Sequence, residues 1–408
     1  MKEFRNLHPT IQLRLLMNFL GVLTYSAVGS AMTIYYNKYI GAGITGILLI
    51  LSSVLVFLVG LYAGHLTDKR GRRPIMLFST LITTVGGLIA SFSNSPWFFN
   101  PWTTYIGFLI LNFGYGFFNV ASSAMIVDLT DENNRKEVYS IQYWVFNLGI
   151  LIGSALSGLF FRDYLFELLL AISLEELLSF ILVYFKIPES FDTKKSPAQR
   201  ENIFKTYKLV SKDRIFMIYC FASIFIAMIF MQVDYYLPVH LSDSFQTVHL
   251  LGFEIYGQRM LSLILITNTL IIVLLMSVTN RITKNWTRTQ GVVIGLTLQG
   301  GGFILAFIGR DFRIEMSAAV ILTIGEMINV PFAQALRADL MDSQRVGTYT
   351  GVFNVMQTIG AILCGLMLSG SAFYGNNGEI ALMGLIIALG VIPTVFAIRL
   401  HEKPRKIS

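Results

Sequence analysis

Residues 43–95 read GITGILLILSSVLVFLVGLYAGHLTDKRGRRPIMLFSTLITTVGGLIASFSNS. Two apolar runs, 43–65 and 75–95, flank a short polar stretch dense in Lys and Arg. A helix rises about 1.5 Å per residue, so roughly 20 residues cross a bilayer core, and each run suffices for one crossing. Hydrocarbon offers no water to the peptide groups, and runs of this length are too long for barrel strands, so they predict helices. The composition of the whole chain agrees. Of 408 residues, 54% are hydrophobic and 13% charged, with mean hydropathy +0.63. Soluble domains run nearer 25% charged. A cytosolic enzyme, a secreted disulfide scaffold and a disordered tail are excluded on these figures.

Outward from this pair, twelve apolar runs predict an all-α membrane protein: 14–38, 43–65, 75–95, 102–128, 138–161, 165–186, 215–240, 255–279, 290–309, 316–340, 348–372 and 380–400. Alternating the connections from a cytoplasmic N-terminus puts 26 of the 31 Lys and Arg inside, leaving Lys38, Arg162, Arg259, Arg310 and Arg313 outside. That bias predicts a multi-pass protein of the cell membrane with both termini cytoplasmic. The net charge of +7 is thereby topological, and no nucleic-acid partner is expected. The start, MKEFRNLHPTIQLR, runs into a span with no small-residue cleavage site, so no signal peptide is expected.

The longest polar stretch, IPESFDTKKSPAQRENIFKTYKLVSKDR (187–214), separates six spans from six. It predicts an N-terminal half, 1–186, a cytoplasmic linker, 187–214, and a C-terminal half, 215–408. A repeat crosses this linker: AMIVDLTD at 124–131 and ALRADLMD at 335–342, offset by 211. Each copy is followed by an arginine, Arg135 or Arg345, and then a tyrosine, Tyr139 or Tyr349. Both copies fall at the inner end of the fourth span of their half. Two parallel six-helix halves around a central cavity are a transporter architecture.

The polar stretch between the second and third spans, GHLTDKRGRR (64–73), carries the pattern G-x-x-x-D-[RK]-x-G-[RK]-[RK]. It resembles the loop motif of the major facilitator superfamily at every key position, which implies the twelve-helix major facilitator fold and a gate built from Gly64, Asp68, Gly71, Arg72, Arg73 and Asp128. The spacing has a physical sense. Gly64 allows close helix approach, and Asp68 suits the positive N-terminal end of the following helix. Gly71 permits a tight reversal, and Arg72 reaches for an acid, for which Asp128 is the natural partner. The second half keeps only a remnant, Arg281 to Lys284, with lysine in the acidic place. The fifth span's GILIGSALSG (149–158) is similar to the superfamily's antiporter motif, with Ser154 where proline is expected. Small residues at this spacing also serve plain helix packing. Longer words, MTIYYN (32–37), LPVHLSDSF (237–245), GFEIYGQRML (252–261) and Gly325-Glu326, resemble the multidrug/proton antiporters of lactic-acid bacteria. That resemblance implies export of small amphipathic or cationic substrates, reached through membrane lipid, in exchange for protons. The energy is the proton gradient, no cofactor is needed, and a monomer is expected.

Carboxylates are costly in hydrocarbon, so acids within spans are functional candidates by default. Asp234, toward the outer end of the seventh span, and Glu326, in the tenth before Pro331, match the family's proton-coupling and substrate-binding acids. Asp234 also reads as a group at the water boundary. The family pattern has an aspartate where this chain has Gln142, which carries no proton. Glu175 and Glu176 in the sixth span, absent from the pattern, read either as a packed polar contact or as compensating proton sites. Adjacent residues point about 100° apart, so the two cannot share one partner. Asn119, Gln142, Tyr143 and Asn147 complete the candidate substrate-binding polars, and Phe and Met supply adaptable apolar surface. The chain has no H-E-x-x-H, G-x-S-x-G or P-loop pattern, and its five histidines form no metal cluster, so no enzyme activity is expected. Cys220 and Cys364 lie inside spans and read as packing residues.

Overall fold

The computed structural model describes residues 7–130, 135–190, 210–250, 252–341 and 346–402. The helices are α1 (Pro9–Ser26), α2 (Ala31–Ile40), α3 (Ala42–Arg70), α4 (Arg72–Phe92), α5 (Pro101–Asp128), α6 (Arg135–Phe160), α7 (Leu165–Lys186), α8 (Arg214–Met231), α9 (Tyr236–Ser244), α10 (Gly257–Ile282), α11 (Arg288–Ile308), α12 (Phe312–Leu340) and α13 (Val346–Glu402). Among the described residues, eleven helical segments are long and apolar enough to cross a membrane. The last of them, Tyr349–Glu402, has 54 residues, or about 80 Å of helix, too much for a single crossing. Gly375, at φ 64° and ψ −169°, breaks it into arms 346–374 and 376–402. The architecture is therefore the all-α, twelve-span one.

Two expected spans are interrupted. The first bends at residues 27–30, between α1 and α2, where the Gly29 amide donates to the Tyr25 carbonyl at 2.7 Å. The seventh breaks at residues 232–235, between α8 and α9. Pro238 explains the second break, because it has no N–H for the Asp234 carbonyl and its ring clashes there. Two hairpins were not legible as strands. β1 (Asn94–Ser95) pairs with β2 (Phe98–Phe99), and β3 (Val248–Leu250) with β4 (Phe253–Ile255). Gly252, at φ 82°, turns the second.

The chain forms two compact units: Met1–Ile40 with Leu51–Ala198, and Gly41–Ile50 with Gln199–Ser408. In the first, α4 and α5 touch backbone to backbone: a Cβ at Gly86 would stand 2.5 Å from the Leu111 nitrogen, and one at Gly107 2.6 Å from that of Ala90. The fifth-span glycines pack α6 on α1, since a Cβ at Gly153 would meet the Leu23 carbonyl. In the second unit α11 and α12 repeat the arrangement through Gly295, Gly302 and Gly325. There the opening turns of α3 lie on α13, with Ser369 Oγ donating to the Gly43 carbonyl at 2.8 Å. Cys220 and Cys364 are free and buried.

A Cβ at Gly325 would collide with the Gln299 backbone, whereas one at Gly384 meets nothing within 4 Å. Gly325→Ala is expected to cost about 1–3 kcal/mol and to lower the thermal unfolding midpoint in detergent. Gly384→Ala is expected to leave that midpoint unchanged or raise it slightly.

Candidate functional site

The motif loop closes on a junction at the end of α5. Gly71 takes φ 95° and ψ 169°, a backbone that side chains disfavour. The turn delivers Arg72 to the first position of α4, where its Nε donates to Asp128 Oδ2 and its Nη1 to the Thr67 carbonyl, both at 3.0 Å. Four amides at a helix start lack intrahelical acceptors. Here Pro74 removes one, and Glu189 takes two: Arg72 N donates to Oε1 and Arg73 N to Oε2, each at 3.0 Å. Ser190 Oγ donates to Asp128 Oδ2 at 3.0 Å, and Arg73 Nη2 to the Tyr184 carbonyl at 2.7 Å. A Cβ at Gly71 would lie 2.5 Å from Glu189 Oε2 and would displace that carboxylate from the helix start.

Two further observations bear on the motif. Glu189 occupies the positive end of α4, the place expected of Asp68, whose side chain lies outside the described residues. Among the described residues, a Cβ at Gly64 would meet nothing within 4 Å. Glu189 was missed because it sits in a polar connection 117 residues from its partner; the uncapped amides of Arg72 and Arg73, with Gly71 unable to cap them through a side chain, were the available signal.

The second unit holds a counterpart that the remnant at Arg281 to Lys284 does not supply. Arg288, the first residue of α11, pairs with Asp339 near the end of α12 at 2.5 Å. Asp339 is the repeat equivalent of Asp128. The cap is neutral here: Thr287 and Gln290 form a reciprocal capping box. Tyr349 donates to Asp213 Oδ2 at 3.0 Å, while its counterpart Tyr139 is exposed. Asp131, Asp342 and Arg345 lie outside the described residues, as does the Arg135 side chain.

The intramembrane acids take distinct settings. Glu326 is half-buried and accepts from Asn268 Nδ2 at 2.9 Å; the same amide reaches Thr323 Oγ1 at 3.2 Å. Asp234 is exposed, in the turn between α8 and α9 rather than on a helix. Glu175 and Glu176 are both buried. Ser179 Oγ donates to Glu175 Oε1 at 2.9 Å, and Glu175 Oε2 lies 3.8 Å from the Cβ position of Gly21 on α1. Glu176 instead faces Tyr115 on α5. Tyr115 nevertheless lies within electrostatic reach of both carboxyls. Asn119 and Tyr143 are exposed; Gln142 is half-buried with no partner for Oε1. Asn147 is half-buried and spends its amide on the Tyr143 carbonyl of its own helix at 2.8 Å. Glu326 and Asp234 belong to the second unit, and Glu175, Glu176, Asn119, Gln142, Tyr143 and Asn147 to the first. Two further acids, Glu315 and Glu379, are fully buried. They escaped the sequence reading because each stands one residue outside an expected span. Tyr374 donates to Glu379 Oε1 at 3.2 Å.

A model of the Major Facilitator Superfamily matches residues 14–365. The chain belongs to the Major Facilitator Superfamily. It is 24% identical to a Na(+), Li(+), K(+)/H(+) antiporter of Planococcus maritimus, over 98% of each chain. It is also 24% identical to the class H tetracycline resistance protein of Pasteurella multocida, over 89% of this chain and 88% of that one. A solved POT family transporter in complex with 5-aminolevulinic acid superposes with TM-score 0.77 at 16% identity, covering 96% of each chain. This facilitator is accordingly a multi-pass membrane transporter.

The facilitator's two arginine–aspartate pairs differ in burial. Side-chain exposures are 8% and 22% for Arg72 and Asp128, against 36% and 38% for Arg288 and Asp339. Arg72→Gln is expected to cost about 1–3 kcal/mol, because it strands a partly buried carboxylate. Arg288→Gln is expected to cost less than about 1 kcal/mol. Unfolding midpoints of the two purified variants decide the order.

Proposed function

We propose that the chain is a proton-coupled exporter of lipophilic, often cationic, drugs that works by alternating access of its halves, 1–186 and 215–408, about the cytoplasmic linker 187–214. The observation that carries this reading is Glu326: a half-buried carboxylate within a membrane span, held by a single amide from Asn268. Such a group serves a cation or a proton, but not both at once. Protonation from outside releases the drug, and deprotonation toward the cytoplasm resets the site. Asp234, exposed in its turn, passes protons between water and the site, and Glu175 and Glu176 are further proton carriers. Asn119, Gln142, Tyr143 and Asn147 contact substrate, and the junction of Gly71, Arg72, Arg73 and Asp128, with Gly64 and Asp68, is the inner gate. The likeness to a cation/proton antiporter and to a tetracycline resistance protein supports the same reading, as does the resemblance to the lactic-acid bacterial antiporters. Both termini are placed in the cytoplasm, and the working unit is a monomer.

A second reading, transport of a lipid or of one metabolite, is favoured by Gln142, which removes a proton carrier from α6. Dye efflux driven by an imposed pH gradient in proteoliposomes separates the two. The Glu326→Gln, Asp234→Asn double variant is expected to lose at least nine-tenths of gradient-driven efflux; undiminished efflux would sink the mechanism. Imposing voltage and pH gradients separately adds a second outcome. Gln142→Asp is expected to increase the voltage dependence of cation efflux, by adding a proton to each cycle, and an unchanged dependence argues against that site.

A further inference from the structure

The second unit contains a cavity of about 260 Å³ lined by α8, α12 and α13. None of the residues singled out for substrate lines it. Its cation is Arg337, whose guanidinium lies 4.7 Å from the centroid of the Phe353 ring. Among the described residues no carboxylate is within ion-pair distance of Arg337; Asp339, two residues on, is taken by Arg288. The Tyr219 ring stacks on Phe353 at 6.3 Å, and its hydroxyl is committed to the Ala333 carbonyl at 3.1 Å. Two turns back along α12, Asn329 reaches the same cavity. It is fully buried, its amide nitrogen is 3.5 Å from Gln299 Oε1, and its Oδ1 accepts nothing. Phe230 and Val330 supply apolar wall between them.

A guanidinium at the inner end of a membrane span that meets no carboxylate among the described residues is ready for an anion, and its fork matches a carboxylate or phosphate. The buried Asn329 oxygen needs a donor. Residues 329 and 337 are separated by about 12 Å of helix rise, a gap that two side chains and a bicyclic ring span. The volume falls below the roughly 300–1,000 Å³ of drug-sized pockets, so the cavity suits a small acid or one lipid headgroup with its first carbons.

We propose that this cavity binds an organic anion: its acidic group on Arg337, its flat apolar body against Phe353 and Phe230, and a hydroxyl or amide hydrogen given to Asn329 Oδ1. This goes beyond the exporter reading, which places a cation at Glu326, and neither requires the other.

Equilibrium binding of 6-hydroxy-2-naphthoate to the full chain in phosphatidylcholine nanodiscs tests it, with no proton gradient and no efflux measured. The acid is expected to bind saturably and at least tenfold more tightly than its uncharged amide, 6-hydroxy-2-naphthamide. Arg337→Gln is expected to remove that preference, and Arg337→Lys to keep part of it. The analogue without the hydroxyl, 2-naphthoate, is expected to bind several-fold more weakly. Repeating the titration with phosphatidylglycerol in the discs distinguishes the source. Competition identifies a lipid headgroup as the occupant, and no competition identifies a soluble acid; both support the site. Equal affinity for acid and amide on the unaltered chain, an Arg337→Gln affinity within twofold of it, or no saturable binding overturns the proposal.

Discussion

A hydrocarbon interior offers nothing to an unpaired peptide group, so every crossing in this protein is a helix whose bonds close on themselves. Lipid is as apolar as leucine, and burying side chains therefore does little to draw such helices together; close approach of their backbones does. Gly86 and Gly107 bring α4 against α5, and Gly302 and Gly325 bring α11 against α12. The same constraint orients the acid next door. With Gly325 pressed on the Gln299 backbone, Glu326 leaves α12 about 100° away, on the side where Asn268 of α10 donates to it. The position of the carboxylate is thus a consequence of helix packing.

Charges that cannot lie along the crossings collect where the helices end, and the two units solve that problem alike in geometry but not in enclosure. In both, an arginine at the first position of one helix pairs with an aspartate at the end of the next. The first pair is largely buried and is also tied to Glu189 and Ser190, the chain directly after α7. The second is wetter, and its helix start is capped locally by Thr287 and Gln290. Glu189 therefore couples the loop motif to the beginning of the polar connection. Any pull on that connection acts on the first junction through two charge-assisted bonds and has no such handle on the second.

Much of this was legible in the sequence, because run length and charge bias are strong signals in a membrane protein. The spans agree with the helices to within several residues, and the Arg72–Asp128 pair follows from the loop motif. The losses have specific causes. Averaged hydropathy runs straight over residues 232–235, although Pro238 marked the break one turn later. Arg288 was overlooked because a fixed offset of 211 from Arg72 points to residue 283, next to Lys284, while the second unit starts the equivalent helix five residues on. Glu315 and Glu379 vanished at expected span boundaries. Glu189 has a partner that only the fold brings near.

Glu326 and Arg337 lie on one helix with opposite charge, which raises the question of whether sites built on them interfere. Eleven residues of α12 separate them, a rise of about 16 Å. At an effective dielectric of 20, unit charges at that spacing interact by about 1 kcal/mol, and by less where water enters. Pro331 also interrupts the bonding of the segment between them, leaving the Met327 carbonyl without its helical donor. A cation at the carboxylate and an anion at the guanidinium are therefore only weakly coupled, with attraction rather than repulsion as the sign. An amphiphile carrying both charges would gain from each end of α12, whereas a simple cation would use Glu326 alone. On the two proposed assignments, the polar residues of this one helix would permit a wider range of substrate charge than its acids suggest by themselves.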